Sequence, residues 1–322
     1  MRVATIQLQP LPDPVANLAA IERWVSVVMA DEVVLAVFPE MCIPGYWHLR
    51  NRTSAELRSL GQPLDGPWVT ELGTLARTTG VAIGAGILER EGDELFNTYV
   101  VCMPDQTVHR HRKLHAFEHP AISSGDSFTV FDTPWGVRVG VLICWDNNLV
   151  ENVRITALLG AEVLLAPHQT GGTRSRSPHG MRPIPPSLWQ RRNADPEALR
   201  TAFTGPSGRE WLLRWLPARA HDNGLFVIFS NGVGLDDDEV RTGTSMIIDP
   251  YGRIVAETDA LGEAAVVADL DLDLLPLSTG RRWIAGRRPE LYAELCAVNG
   301  TERDARAARF DPDPPARPGQ RR

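Results

Sequence analysis

Cysteine is scarce in this chain: four residues among 322, at positions 42, 102, 144 and 296, with no CxxC pair. That spacing argues against a disulfide scaffold and fits free thiols in a reducing compartment, so a cytoplasmic location is expected. Long hydrophobic runs are also missing, and nothing approaches the roughly 20 apolar residues a membrane helix needs. Residues 1–8, MRVATIQL, lack the apolar core and small-residue cleavage site of a signal peptide. There is no basic excess: 33 Lys and Arg face 40 Asp and Glu, a net charge of -7. Such a balance favours solubility and gives no general attraction to nucleic acid or anionic membrane. The motifs GxSxG, GxGxxG, HExxH and the P-loop are all absent. Those absences remove the serine-hydrolase elbow, the common nucleotide cradles and the two-histidine zinc helix.

What is present is enough apolar material for a substantial core, 43% of the residues. Val3 to Leu8 reads as a strand, and Asp13-Pro14 starts a helix over 14–30 whose Leu18, Ile21, Val25 and Val28 fall at helical spacing. The apolar run Val33 to Phe38 suits a strand covered on both faces. A helix from Gly66-Pro67 to Gly80 precedes strands at 81–88, 96–103 and 107–112. A hairpin follows (128–131 and 137–143), then a helix over 149–159 and a strand at 162–166. The second half repeats the mixture: a helix near 208–222, a strand at 225–230, a hairpin at 243–249 and 253–257, and a last strand at 263–270. Helices mixed with antiparallel hairpins fit two sheets packed face to face with helices outside. Residues 168–207, with Gly171-Gly172 and several arginines, interrupt this order, and a connection that long suits an ordered loop over a site or a surface insertion. The domain is expected to span 1–300, with 301–322 as an extended or disordered tail.

The strongest local feature is the apolar strand from Val137 that runs into Cys144, Trp145 and Asp146, with a helix a few residues later. Strand-to-helix elbows hold nucleophiles near amide groups that stabilise an oxyanion. A buried core thiol is the competing reading, since unpaired cysteine is among the most buried residue types. Glu40 ends the strand 33–38 and Lys113 ends the strand 107–112. Alone, each reads as readily as a solvated surface residue. Together they supply what attack on an amide or nitrile carbon requires: a nucleophile (Cys144), a base (Glu40) and a cation where negative charge grows (Lys113). His115, Glu118 and His119 invite a metal reading, but satisfied or solvated histidines account for them better, and no metal is expected. The run Asp236-Asp237-Asp238-Glu239 reads as a solvated turn.

The strings FPEMCIPGY, HRKLH and VGVLICWD, which hold Glu40, Lys113 and Cys144 in turn, resemble the three signature segments of the nitrilase superfamily of carbon–nitrogen hydrolases. The likeness extends through Leu159 to Leu165, the Asp249-Pro-Tyr-Gly turn and Arg288 to Tyr292, over about residues 1–295. It implies an α/β fold, a four-layer α-β-β-α sandwich, paired into a homodimer or higher homo-oligomer through the helix after the cysteine and the C-terminal segment. It also implies a cysteine thioester mechanism without cofactor, the backbone amide of Trp145 assisting Lys113 at the oxyanion. Glu118 is the natural second active-site glutamate, its spacing from Lys113 a little shorter than usual. True nitrilases typically have Trp-Glu after the cysteine; here Trp145-Asp146 departs from that pattern. A small linear amide or N-carbamoyl compound is therefore the expected substrate, with a nitrile, or a catalytically inactive binding relative, as alternatives. Arg174 and Arg176 are candidates to hold a substrate carboxylate, as in some carbamoyl amino-acid hydrolases, and His115 is a candidate to line the pocket.

Overall fold

The computed structural model describes residues 1–172 and 177–310. The chain opens with β1 (Arg2–Gln7), whose alternate side chains face two different layers. Ala4 and Ile6 pack outward against the helices, while Val3 joins the layer between the sheets. Helix α1 (Pro14–Met29) follows, capped by Asp13, whose carboxylate accepts from Val15 and Ala16 N–H. Next come β2 (Leu35–Val37), α2 (Ser54–Leu60), α3 (Pro67–Thr79), β3 (Ala82–Glu91), β4 (Glu94–Cys102), β5 (Val108–Arg112) and β6 (Ile122–Ser123). With a late strand, β15 (Ala264–Asp269), these form one sheet in the order β15-β1-β2-β3-β4-β5, β6 lying on β4.

The second sheet has the order β14-β13-β10-β9-β8-β7. Its strands are β7 (Thr129–Asp132), β8 (Arg138–Val141), β9 (Val163–His168), β10 (Phe226–Asn231), β13 (Met246–Ile248) and β14 (Ile254–Glu257). Leu35, Val37 and Tyr99 of the first sheet meet Val139, Leu165 and Ile228 of the second in a shared apolar layer. Hydrogen bonds join β1 to β10 across that layer, Thr5 Oγ1 to the Phe229 carbonyl (2.9 Å) and Ser230 Oγ to the Ile6 carbonyl (2.8 Å). Helices α1 and α3 cover the first sheet through Leu18, Ile21, Val25 and Leu72. The second is covered by α4 (Val150–Leu158) and α8 (Leu216–Asn223) through Val153, Leu216 and Ala220. The result is the expected four-layer α-β-β-α sandwich.

Three departures from the sequence reading matter for the site. The helix expected near 208–222 is two helices, α7 (Arg209–Leu213) and α8, because Pro217 starts a new helix rather than continuing one. The acidic run is no solvated turn throughout. Only Asp237 and Asp238 form the loop of a hairpin, β11 (Val233–Asp236) and β12 (Glu239–Thr242), while Asp236 is buried. The insertion carries α5 (Pro186–Gln190) and α6 (Pro196–Thr204), packed on that hairpin through Trp189, Leu199 and Phe203. Beyond β15, α9 (Leu274–Leu277) and α10 (Thr279–Ala285) lead to the last segment. The tail read as extended or disordered contains a six-residue helix, α11 (Ala305–Phe310). Phe310 stacks on Trp47 at 6.4 Å and meets Phe117 edge-on at 6.1 Å, because exposed aromatic faces gain more by covering one another than by staying wet.

Candidate active site

The segment after β8 carries Cys144 into a single 3₁₀ turn, Cys144–Asn148, before α4 begins. Cys144 itself has φ of 49°, a left-handed conformation that non-glycine residues rarely adopt and that recurs at functional elbows. The thiol lines a cavity of about 420 Å³ together with Trp145, Trp47, Phe117, His168 and Trp215. Trp145 N–H sits in the first turn, where helical amides lack intrahelical acceptors. The core-thiol reading considered for Cys144 instead describes Cys42 and Cys102, which are buried and whose thiols burial pushes up to about 12.

Glu40 is delivered by the loop after β2, and its neighbour Met41 also has positive φ, 48°. That loop lies directly on β3 at Gly86, where a Cβ would stand 2.0 Å from the Met41 nitrogen. Only glycine permits the approach. Lys113 follows β5, and its amide donates to the Asn97 carbonyl at 2.8 Å. Its Nζ donates to Glu40 Oε1 at 2.7 Å and to Glu118 Oε1. Asn97 Nδ2 bonds the same two oxygens, at 2.7 and 3.0 Å, and Tyr46 hydroxyl donates to Glu118 Oε1 at 3.3 Å. All three charged residues are fully buried beside the cavity.

This cluster splits its carboxylates. Burial and the nearby Cys144 thiol raise Glu40 well above the ordinary carboxylate range, against the pull of Lys113. Burial also opposes ionisation of Glu118, but the charge and hydrogen bond of Lys113 outweigh it and hold Glu118 low. Burial disfavours charge on Lys113 too, yet Glu118 and Glu40 overcome it and keep the ammonium charged. One carboxylate is thus fixed as a counter-ion while the other is poised to take a proton. Glu40 Oε2 has no hydrogen-bond partner among the described residues.

Asp146 ties this cluster to the elbow. Its carboxylate accepts from the amides of Leu114 (3.1 Å), His115 (2.9 Å) and Ile143 (3.3 Å) and faces His115 Nδ1 at 2.9 Å. Burial opposes its ionisation, but bonding from His111 and His115 holds the carboxyl below the ordinary aspartate range. The residue that the sequence offered only as a departure from Trp-Glu therefore fixes the lysine loop against the cysteine turn. His115, expected at the pocket, is engaged by Asp146 instead and is not on the cavity wall. His119 Nδ1 accepts from the Ala121 amide at 3.0 Å, a local turn bond. Arg174 and Arg176 lie outside the described residues.

Four wall residues, His168, Gln169, Arg241 and Arg309, were not singled out from sequence. Asn147 Nδ2 donates to the Leu142 carbonyl (2.7 Å) and to His168 Nε2 (3.2 Å), so the buried imidazole is neutral with its proton on Nδ1. Burial pushes His168 down to about 3. Gln169 Nε2 donates to the Glu40 carbonyl at 2.8 Å, anchoring the base's backbone from β9. Arg241, on β12, lines the cavity although only 2% exposed. Its signal was present: Glu239 and Arg241 lie two apart on a strand and so share a face. Arg309 of α11 also lines the cavity and donates to the Gly172 carbonyl at 3.3 Å.

Comparison with known proteins finds relatives along most of the chain. The family profile described as carbon-nitrogen hydrolase matches residues 2–276. An (R)-stereoselective amidase of Pseudomonas sp. is 32% identical, the match covering 85% of this chain and 86% of that protein. A nitrilase of Pyrococcus abyssi is 28% identical, covering 85% and 91%. The N-carbamoylputrescine amidase of Arabidopsis thaliana is 27% identical, covering 92% and 96%. Among solved structures, an amidase of the nitrilase superfamily from Nesterenkonia AN1 superposes with a TM-score of 0.68 at 23% identity, over 92% of this chain and 97% of the other. At that identity the superposition speaks to the fold.

Proposed function

The chain belongs to the carbon–nitrogen hydrolase family, and on that premise we propose an amidase-type enzyme for small linear amides or N-carbamoyl compounds in which Cys144 is the nucleophile. The observation that carries the reading is the buried Glu40–Lys113–Glu118 cluster, whose unpartnered Glu40 oxygen belongs to a carboxyl within electrostatic reach of the Cys144 thiol. Glu40 takes the thiol proton as sulfur bonds to the carbonyl carbon. The carbonyl oxygen gains the negative charge and accepts from Lys113 Nζ and Trp145 N–H. Glu40 then returns the proton to nitrogen, the carbon–nitrogen bond breaks, and ammonia or an amine leaves a thioester. A water deprotonated by Glu40 attacks that thioester, and collapse releases the acid and restores the thiol. Glu118 holds Lys113 charged and oriented throughout.

The test is ammonia release across matched amide, N-carbamoyl and nitrile panels, with hydroxylamine added to trap the acyl group. Turnover of amides or carbamoyl compounds with hydroxamate formation supports the reading. Turnover of nitriles alone, with acid as product, would make the chain a nitrilase, the reading that Trp145 and the Pyrococcus relative favour. A homodimer or larger homo-oligomer is part of the same proposal, because Val150, Ile155, Leu158 and Leu159 leave an apolar strip exposed on and just after α4. Cytoplasmic residence is proposed from the four free thiols, Cys296 among them exposed. No described helix is long and apolar enough to cross a membrane.

A further inference from the structure

Arg241 is a buried cation on the cavity wall. Its Nε donates to Asp236 Oδ2 at 2.8 Å, and its Nη1 donates to Glu239 Oε2 at 3.1 Å and to the Gln169 carbonyl at 3.0 Å. The guanidinium lies over the rings of Tyr46 (5.0 Å) and Trp47 (5.2 Å). It reaches the cavity wall beneath Gly171, where a Cβ would stand 2.4 Å from Nη1. Among the described residues, Nη2 alone of its nitrogens has no partner. Leaving a buried donor unmade costs free energy that the protein recovers only when an acceptor arrives.

The charge balance says which acceptor. Among the described residues the guanidiniums on the cavity wall are those of Arg241 and Arg309, and Asp236 and Glu239 both pair with Arg241. A substrate carboxylate at Nη2 would share Arg241 with the two carboxylates already on it. Trp47, Phe117, Trp145 and Trp215 face the same space and give the wall a large aromatic share, beside polar Asn148, Gln169 and Thr170. We propose that Arg241 is a specificity-determining residue. It donates its free Nη2–H to an uncharged oxygen, a carbonyl or ether, in the apolar acyl half of the amide whose carbonyl carbon Cys144 attacks. This rests on the amidase reading above.

The experiment compares kcat/KM for matched linear amides of several lengths. Each length has a keto or ether oxygen, a methylene in its place, or a terminal carboxylate. One hydrogen bond to a charged donor predicts about a 10–100-fold preference for the neutral oxygen over methylene at the best length. Arg241→Lys keeps a cation for Asp236 but lacks the fork, and the ratio should fall toward one. Arg241→Gln supplies a second variant if the lysine does not fold. A merely structural role moves both substrates in parallel and leaves the ratio unchanged. Wild-type enzyme that hydrolyses methylene and oxygen-bearing amides equally, or prefers the carboxylate, overturns the inference while the amidase reading stands. Failure to hydrolyse any amide overturns both.

Discussion

Two buried clusters meet at Tyr46 of the cavity wall, and each sets one cation between two carboxylates: Lys113 with Glu40 and Glu118, Arg241 with Asp236 and Glu239. Tyr46 joins them, its hydroxyl on Glu118 and its ring under Arg241. They differ in what is left over. Lysine is a compact charge that two carboxylates saturate, so the lysine cluster leaves an acceptor, Glu40 Oε2. Arginine is a fork with five N–H groups, so two carboxylates and a carbonyl leave a donor, Nη2. A free acceptor beside a thiol suits proton transfer; a free donor on an aromatic wall suits substrate selection. Buried ion pairs are weak evidence for stability, and these are better understood through their unpaired atoms.

The contrast can be broken at several points. Cys144→Ala should abolish ammonia release, by at least about 10⁴-fold, while the far-UV spectrum and unfolding midpoint stay close to wild type. Retained turnover in that variant would mean the lysine cluster serves some other chemistry. Glu40→Gln removes the proton acceptor with little change of shape and should cost about 10²–10⁴-fold in kcat/KM. Because burial and Cys144 raise Glu40, and the base must be ionised, wild-type activity should fall with decreasing pH at values above the ordinary 4.5 of a glutamate. An acid limb at the ordinary value, or one unchanged in Glu40→Gln, would remove Glu40 from that role.

On the arginine side the expected losses are of stability. Asp236→Asn strips one partner from Arg241 and weakens the acceptor of the Trp47 amide, now bonded at 3.1 and 3.2 Å. Breaking a buried pair in this way costs about 3–5 kcal/mol, readable by urea unfolding. Two residues along the same hairpin, Asp238 pairs with Arg50 at 2.8 Å in a half-open setting. Asp238→Ala should therefore cost under about 1 kcal/mol. Equal losses at the two positions would show that burial does not separate them.

Much of the site was legible because each element ends where its chemistry begins. Glu40, Lys113 and Cys144 stand just after strands, apolar ones for Glu40 and Cys144 and the basic Val108–Arg112 for Lys113, and the strand period, the Asp13 cap and the Gly80 stop were all readable from neighbours in sequence. Asp236 was not, since a run of acids next to a turn looks the same whether water or an arginine receives it, and Arg241 showed only the face it shares with Glu239. Asp146 was seen only as a deviation from a motif, because its partners Leu114 and His115 come from a loop more than 30 residues away. The helix Ala305–Phe310 reads as a polar, disordered tail until Trp47 and Phe117 are there to receive Phe310.

The sequence by itself determined the layer architecture and singled out Glu40, Lys113 and Cys144 as a set, because hydrophobic period and strand-end position are local properties. Tertiary structure decided which carboxyl is raised, which is held low by Lys113, and which Arg241 nitrogen is left unpaired among the described residues. Those depend on desolvation and on which polar atoms remain unpaired, and neither exists until the chain has folded and water has been excluded.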